Sequence, residues 1–441
     1  MTVVIKILQF ILSLSVIVII HEFGHFLFAK LFKTRVEKFY LFFDPWFSLF
    51  KLKKGDTEYG IGWLPLGGYV KISGMIDESM DKEQMKLPPQ PFEFRSKPAW
   101  QRLMIMVGGV LFNFILALLL YVMVLFSWGE TYLPNSNIKF GIVTDSTGHE
   151  MGLRNGDRIL AIDGEEVDNF YSIISDVILN ERKVITVDRN GEKIDIPVDK
   201  KFIPLIIKGK GQIDARIPFG PFEVVDYMKE SPAREAGVLK GDIFAGIDGN
   251  EFEFYDEYQV YLSDKKGKEI TVNLERNGER IDIPLVTTSQ GMIGVERNVP
   301  DYFEFKTVKY TFAESIPAGI SKGFKTLKDY LKQFRVIFSK GSKAYESLGG
   351  FITIGSIFPG VWDWQSFWNL TPFLSIILGI MNILPIPALD GGHVMFLVFE
   401  VVTGRKPSDK FLEYAQITGM ILLLALLIFA NGNDLLRFIR K

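Results

Sequence analysis

The sequence predicts a membrane α-helical bundle of four transmembrane helices with a membrane-associated β-hairpin, plus two inserted β-rich domains. Three observations support this fold class. Apolar residues are concentrated in blocks near the two ends of the 441-residue chain, whereas the middle has the composition of a soluble protein. The middle also contains an internal repeat. A glycine-rich segment without charge lies between the first two apolar blocks.

The composition argues against several classes of function. The formal net charge is −2 and no long basic run occurs, so nucleic-acid binding is not expected. Cysteine is absent, which removes disulfides, thiolate nucleophiles and cysteine-type zinc sites. A metal ion would therefore have to be held by histidine and carboxylate side chains. No organic cofactor is expected.

Four apolar segments are long enough to cross a bilayer. The first, residues 1–30, could be read as a signal peptide, but no small-residue cleavage site follows it and a charged motif interrupts it. The second, residues 103–128, carries no charge and is bracketed by tryptophans. The third, residues 366–403, is broken by two prolines, and the fourth covers residues 414–431.

Basic residues give the predicted orientation of these helices. Lysine and arginine are frequent in residues 31–102, after the first span, and in the short loop between the third and fourth spans. The excess of basic residues on the cytoplasmic side of membrane proteins places both loops in the cytoplasm and the central region outside. Lys6 and the basic C-terminal tail favour the opposite orientation.

The central region repeats itself. Gly152–Gly164 matches Gly237–Gly249, and similar segments containing Asn-Gly begin at Arg189 and Arg276. Asn-Gly between two short β-branched runs predicts a β-hairpin. The repeated G-x-x-x-G-D-x-I-x-x-I-D-G string resembles circularly permuted PDZ domains of bacterial envelope proteases. The predicted units are residues 129–205, residues 206–298 and an amphipathic helical connector at residues 299–345.

His21, Glu22 and His25 form an H-E-x-x-H motif at the end of the first span. Residues four apart share one face of a helix, so both imidazoles can bind the same metal ion. Glu22 lies about 100° further around the helix, where it can act on a water molecule as a general base. Two structural histidines are the alternative, but burying His, Glu and His in an apolar span is costly. The motif therefore predicts zinc-dependent hydrolysis.

A catalytic zinc ion usually has three protein ligands, so a third one is needed. Asp390 is favoured because two prolines break the helix next to it, and irregular backbone at membrane depth usually lines a protein cavity or water. A lone carboxylate at that depth is costly unless a cation pairs with it. Asp44, His393 and Glu400 are the competing candidates, and for His393 a structural role is the simpler interpretation.

The uncharged segment Tyr59–Val70 is too short and too rich in glycine to span a membrane. Pro65 divides it into two β-like halves, so residues 59–72 are predicted to form a hairpin that dips into the membrane near the metal site. An exposed edge could receive an unwound substrate as an added strand. An ordinary cytoplasmic hairpin with one apolar face is the alternative. The glycines expected beside a substrate are Gly60, Gly62, Gly67 and Gly68.

The H-E-x-x-H motif, the two repeats and the N-x-x-P-x-P-x-L-D-G-G string at residues 382–392 together resemble the site-2 protease family over essentially the whole chain. The resemblance implies an intramembrane zinc endopeptidase of the bacterial inner membrane, with PDZ domains on the periplasmic side and H-E-x-x-H near the cytoplasmic side. Its substrates would be single-span transmembrane proteins, such as a trimmed anti-sigma factor or signal-peptide remnants, in envelope stress signalling. The resemblance also implies one zinc ion per chain held by His21, His25 and Asp390, Glu22 as general base or acid, and Asn382 and Pro385 as substrate-binding residues.

The sequence departs from the family pattern at two places. Gly109 and Asn113 stand in a segment of the second span that lacks the usual proline, and Gly349-Gly350 replaces a usual Gly-Pro before the third span. Two other functions make different predictions. A non-catalytic adaptor would have lost part of the metal set, and a zinc transporter would carry ionisable residues along a pathway. The complete, compact set favours the protease.

Overall fold

The computed structural model of the chain describes residues 2–75, 87–207, 209–297, 302–337 and 349–439. Its helices are α1 (Thr2–Leu31), α2 (Ala99–Trp128), α3 (Ser146–Met151), α4 (Ile173–Leu179), α5 (Ile203–Ile207), α6 (Pro232–Glu235), α7 (Tyr255–Ser263), α8 (Phe312–Ile337), α9 (Phe351–Ser356), α10 (Trp364–Ile383), α11 (Asp390–Thr403) and α12 (Asp409–Ile439). Short 3-10 turns occur at Phe94–Ser96, Asn135–Asn137, Phe170–Ser172 and Lys200–Phe202.

The strands are β1 (Val36–Lys54), β2 (Thr57–Ile72), β3 (Glu130–Tyr132), β4 (Ile142–Thr144), β5 (Arg158–Ile162), β6 (Glu165–Glu166), β7 (Val184–Arg189), β8 (Glu192–Pro197), β9 (Ile213–Ala215), β10 (Phe222–Tyr227), β11 (Ile243–Ile247), β12 (Glu269–Arg276), β13 (Glu279–Val286), β14 (Val295–Arg297) and β15 (Lys306–Val308). The chain separates into two compact units. The first comprises Met1–Glu130, Val308–Arg335 and Tyr345–Lys441, and the second comprises Thr131–Thr307 with Val336–Ala344.

Among its described residues, the first unit contains four helices that are long and apolar enough to cross a membrane, at Thr2–Leu31, Ala99–Trp128, Trp364–Ile383 and Lys410–Arg437. The sequence predicts one irregular third span over residues 366–403, broken at its two prolines. The structure has two helices there, α10 and α11, and only α10 is long enough to span. The helix ends at Ile383 because Pro385 and Pro387 lack the N–H groups needed to continue it.

Glycines bring α1 and α2 unusually close together. A Cβ atom on Gly24 would lie 2.3 Å from the carbonyl oxygen of Gly108, and a Cβ atom on Gly108 would lie 2.7 Å from the oxygen of Gly24. Small residues at a crossing allow two membrane helices to pack backbone against backbone. Because Gly24 lies between the two histidines of the H-E-x-x-H motif, this crossing places the motif directly against α2.

The β-hairpin of the first unit is larger than predicted. It begins at Val36, and residues 59–72 all belong to its second strand, β2. Pro65 does lie between two β segments, but they do not pair with each other. Phe39 of β1 lies opposite both Tyr59 and Val70, so the two halves flank the same part of β1. The prediction failed because the partner strand carries charged residues and bends at Phe42, a non-glycine residue with φ of 68°.

The second unit contains two β-rich copies. The first has a sheet in the order β6-β5-β7-β8 and the second has a sheet in the order β13-β12-β11-β10-β14. Both Asn-Gly turns form hairpins, β7–β8 and β12–β13. Asn190 and Asn277 each have φ of 54°, and the glycines after them are also left-handed. The predicted hairpins are therefore confirmed, with the backbone typical of type I′ turns.

The predicted boundary between the copies, at residues 205 and 206, is wrong. Strand β9 follows that boundary but pairs with β4, at the start of the first copy. Ile206 packs with Met151, and Ile213 belongs to the same buried cluster as Ile142. The first copy therefore extends to Ala215. The repeated motifs mark equivalent strands, but they carry no information on where the chain returns to complete a sheet.

The predicted amphipathic connector, residues 299–345, contains the 26-residue helix α8. Ser315, Gly319 and Gly323 form its buried face, whereas Phe312 and Phe324 are exposed. A Cβ atom on Gly319 would contact Val122 of α2 at 2.6 Å, so α8 packs on the second span through small residues. The end of the predicted connector, from residue 338, lies outside the described residues.

The same buried ion pair stabilises both β-rich copies. In the first copy, Arg189 Nε and Nη2 lie 2.7 and 2.8 Å from the two carboxylate oxygens of Asp157. In the second copy, Arg276 makes the equivalent two bonds of 2.7 Å to Asp242. Asp242 is only 1% exposed and also accepts a hydrogen bond from the Leu239 N–H group. Each pair ties the Asn-Gly hairpin to the G-D turn of the repeated string.

Replacing Asp242 with asparagine is expected to destabilise the second copy, because it removes the carboxylate that accepts both hydrogen bonds from Arg276. The hydrogen bonds from Arg276 hold the pKa of the Asp242 carboxyl below its ordinary value. The stabilisation that the Asp242 carboxylate provides is therefore present above about pH 4 and is lost as the pH falls through the folded-state pKa of Asp242. Urea-dependent proteolysis of the full-length protein measures the difference in stability between the Asp242→Asn variant and the unsubstituted protein. This difference should become smaller in acid.

The matched control is Asp226→Asn, which removes an exposed pair with Lys240 in the same copy. Such surface pairs contribute little, so no measurable change is expected. Equal stability of the Asp242→Asn variant and the unsubstituted protein at pH 7 would contradict a stabilising role for the buried pair.

Candidate metal centre

The two histidines of the H-E-x-x-H motif lie on one face of α1, turned towards α2. Both are buried, with 7% of each residue exposed. Their Nε2 atoms are 3.3 Å apart. The helix crossing at Gly24 holds them there, and Gly109 of α2 leaves the space that the two rings fill. A Cβ atom on Gly109 would lie 2.4 Å from His25 Nε2 and 2.6 Å from His21 Cε1.

Asp390, the first residue of α11, completes the group. Its Oδ2 atom lies 3.1 Å from His21 Nε2 and 3.3 Å from His25 Nε2. Glycines fix this position: a Cβ atom on Gly391 would lie 2.1 Å from the Leu384 carbonyl oxygen, so α11 begins in close contact with the segment that precedes it. Asp390 is more than 360 positions from the two histidines in the sequence, yet the three residues present their donor atoms to one point.

These three donor atoms fit a metal ion with tetrahedral preference. In a tetrahedral zinc centre with bonds of about 2.05 Å, neighbouring ligand atoms are about 3.3 Å apart, close to the three separations observed here. Asp390 Oδ2 is also buried without a hydrogen-bond donor of suitable geometry among the described residues. A buried carboxylate oxygen without a donor is costly, and a cation offsets that cost. His21, His25 and Asp390 could therefore hold a metal ion together.

The second nitrogen of each imidazole faces a polar group of α2. His25 Nδ1 lies 2.8 Å from the Ile105 carbonyl oxygen, so Nδ1 carries the proton and Nε2 keeps its lone pair for a metal ion. His21 Nδ1 lies 3.2 Å from Asn113 Nδ2. Asn113 is fully buried, and its Oδ1 atom has no hydrogen-bond partner among the described residues. The oxygen and nitrogen of an amide side chain are assigned from their hydrogen bonds. With the Asn113 amide turned over, Oδ1 would accept a hydrogen bond from the His21 Nδ1–H group, and Nε2 of His21 would keep its lone pair.

Sequence reasoning missed the part played by α2. Ile105, Gly109 and Asn113 are spaced four apart, so they share the helix face that meets the histidines. The available signal was this spacing, together with an asparagine inside an apolar span, where a polar side chain usually faces the protein interior.

The two residues predicted to bind substrate near Asp390 occupy different environments. Asn382 lies near the end of α10, and its Nδ2 atom is 3.1 Å from His21 Nε2, the nitrogen that also faces Asp390. Its amide therefore adjoins the three donor atoms. Pro385 is exposed in the segment that links α10 to α11.

Glu22 is half-buried on α1, beside β2 of the hairpin. A Cβ atom on Gly68 would lie 3.3 Å from Glu22 Cγ and 2.8 Å from Val18 Cγ1, so the strand passes close to the helix at this glycine. The other predicted glycines pack within the hairpin. A Cβ atom on Gly60 would lie 2.3 Å from the Tyr40 ring, one on Gly62 would lie 2.1 Å from the Phe43 oxygen, and one on Gly67 would contact the Phe43 ring at 3.1 Å.

The competing metal-ligand candidates have other partners. Asp44 accepts hydrogen bonds from Tyr69 and Ser48 within the hairpin, and burial together with the Asp44 bond raises the pKa of the Tyr69 hydroxyl. Glu400 pairs with Arg102. His393 lines a cavity next to that pair, away from the three donor atoms. In the described part of the chain, none of them joins the cluster of His21, His25 and Asp390.

The profile of Peptidase family M50 matches residues 9–426, which is almost the whole chain. The chain belongs to peptidase family M50, the site-2 proteases. The regulator of sigma-E protease RseP of Escherichia coli is 30% identical over 97% of this chain and 98% of its own length. A relative from Neisseria meningitidis, named as a zinc metalloprotease, is 29% identical over 98% of this chain and 99% of its own length. A regulator of sigma E protease from Haemophilus influenzae is 29% identical over 97% of this chain.

As a member of family M50, the chain is a zinc metalloprotease, a hydrolase of peptide bonds. The four apolar helices make it a multi-pass membrane protein. The donor atoms of His21, His25 and Asp390 are of the nitrogen and oxygen types that zinc accepts in catalytic sites.

Proposed function

We propose that this site-2 protease hydrolyses peptide bonds within the transmembrane segments of single-span proteins, with one zinc ion held by His21, His25 and Asp390. The observation that carries the proposal is the convergence of these three donor atoms in the unit that contains the four helices long enough to span a bilayer. Three protein ligands leave a tetrahedral site with one open position, as hydrolysis requires. When bound, zinc supplies Lewis acidity, which makes a water molecule more acidic and polarises a peptide carbonyl.

Glu22 acts as the general base in this proposal. It follows the first histidine on α1, and its carboxylate takes the proton from the attacking water and later passes it to the leaving amine. Asn382 adjoins the same donors, so its amide is positioned to bind the backbone of a substrate beside the scissile bond. Pro385 is exposed in the segment after Asn382, and in this proposal it contacts the substrate chain.

The hairpin presents the substrate in an extended form. The segment Gly68–Val70 pairs with β1 on one side, and within the described residues no strand pairs with its other side. This free edge passes beside Glu22 at Gly68. A peptide that joins the edge as an extra strand exchanges its helical hydrogen bonds for ladder hydrogen bonds, which exposes its peptide bonds to hydrolysis. Three of the predicted glycines allow β2 to pack closely on β1, and these are Gly60, Gly62 and Gly67. Gly68 has no side chain that would stand between β2 and Glu22.

The two β-rich copies are PDZ domains that lie on the periplasmic side of a bacterial inner membrane and limit which substrates reach the site. The excess of lysine and arginine in the loops after the first and third spans supports this orientation, with the H-E-x-x-H motif near the cytoplasmic side. Relatives named as regulators of sigma-E protease support a role in envelope stress signalling. Trimmed anti-sigma factors and signal-peptide remnants fit such a filter, because their outer parts are small.

Reconstitution in liposomes with a labelled single-span substrate tests the proposal. Mass spectrometry of the fragments is expected to locate the cut inside the apolar segment. Cleavage should stop on addition of a zinc chelator and return with added zinc. A substrate with the same span but a large folded outer domain is the matched comparison, and it should be cut more slowly. Cuts found only in soluble loops would instead indicate a soluble-type protease attached to a membrane anchor.

A further inference from the structure

The segment that carries Asp390 is held in an unfavourable backbone conformation. Ala388, two residues before Asp390, has φ of 84°, in the left-handed region that side-chain-bearing residues rarely occupy. Such a conformation persists only when surrounding contacts hold it. The structure must therefore contain a group that maintains the Leu384–Leu389 segment in this form.

Helix α12 supplies that group. Gln416 Oε1 accepts a hydrogen bond of 3.2 Å from the Ala388 N–H group, and Gln416 is only 7% exposed. One turn later, Gly419 abuts the same segment: a Cβ atom there would lie 1.6 Å from the Pro387 oxygen. A Cβ atom on Gly392 of α11 would lie 2.6 Å from Pro387 Cα. Pro387 is therefore in close contact with one glycine of each of two helices, α11 and α12.

Few residues of α12 are buried. Among the residues of α12 whose exposure the structure describes, only Gln416, Gly419 and Asp434 are buried. A polar side chain buried in an apolar spanning helix usually has a specific partner inside the protein. Here the two buried residues nearest the metal ligands both contact the segment that ends at Asp390.

We propose that Gln416 is a positioning residue, which holds Ala388 in its left-handed conformation and thereby directs Asp390 towards His21 and His25. The fourth span would then be a support for the metal ligand as well as a membrane anchor. This inference rests on the proposed zinc site. Residues that orient metal ligands typically change metal affinity by ten- to a hundredfold when they are lost.

The test is a zinc titration of full-length protein in detergent, with a competing chelator. Gln416→Met keeps the length of the side chain but removes the acceptor, and it is expected to weaken zinc binding by about ten- to a hundredfold. In an Ala388→Gly background, Gln416→Met should weaken zinc binding by less than about threefold, because glycine adopts positive φ without strain. Thr418→Val, at an exposed position on the same helix, is the matched control and should leave zinc affinity unchanged.

Unchanged zinc affinity in Gln416→Met would overturn the inference. So would an equal loss with and without the Ala388→Gly substitution, accompanied by a lower melting temperature of the zinc-free protein, since that result describes a general role in folding. The Asp390→Ala variant separates the two proposals. If it bound zinc as tightly as the unsubstituted protein, the ligand assignment itself would be wrong, whatever the behaviour of Gln416→Met.

Discussion

Replacing Glu22 with glutamine is expected to reduce the rate of peptide-bond cleavage by about a thousandfold or more while zinc stays bound. Glutamine has the size of glutamate but cannot take a proton from water, and general-base catalysis contributes about 10²–10⁴-fold. The three donor atoms proposed to hold zinc stay in place because Glu22 contributes none of them. Single-turnover cleavage of a model transmembrane substrate, together with zinc content per chain, measures both expectations.

The control for this experiment is Glu304→Gln, the same chemical change at a highly exposed position in the second unit. It should cleave at the normal rate. A Glu22→Gln variant that cleaves normally would show that Glu22 is not the base. A variant that has lost zinc would show that Glu22 acts through the metal site, and its rate would carry no information on proton transfer.

The residues of this site could be predicted from the sequence where local spacing determines geometry. His21 and His25 face one point because residues four apart share a helix face, whatever the rest of the fold. The interpretation of Asp390 depended on the prolines beside it, since broken helices in membranes usually line functional cavities. The structure brings these three residues together, at separations that suit a tetrahedral ion.

Features that depend on how helices cross could not be predicted in this way. Asn113 reaches His21 because Gly24 and Gly108 allow α1 and α2 to approach closely. The spacing of residues along α2 marks the polar face of that helix, but it does not specify which helix that face meets. Gln416 contacts Ala388 through the path of the fourth span, far along the chain. The hairpin was predicted to begin at residue 59 instead of Val36, because its first strand has no regular alternation of apolar and polar residues.

Gly109 provides the strongest test of the geometry that the crossing creates. Replacing it with alanine is expected to weaken zinc binding by at least about a hundredfold, since the added methyl group would meet His25 Nε2 at 2.4 Å and His21 Cε1 at 2.6 Å. A loss of that size corresponds to about 2.7 kcal/mol of binding free energy. Cleavage should fall with zinc occupancy, which a competition titration and a cleavage assay measure side by side.

Gly432→Ala is the matched control, because a Cβ atom there would have no neighbour within 4 Å and alanine favours a helix more than glycine does. It should bind zinc and cleave normally. A second comparison is Gly24→Ala, whose methyl group would meet the Gly108 oxygen at 2.3 Å and push the two helices apart. That variant should lower the melting temperature of the zinc-free protein, whereas Gly109→Ala should chiefly lower zinc affinity, because its methyl group meets the imidazoles themselves. Normal zinc affinity in Gly109→Ala would mean that the two histidines do not meet at this face of α2, and the ligand assignment would fail with it.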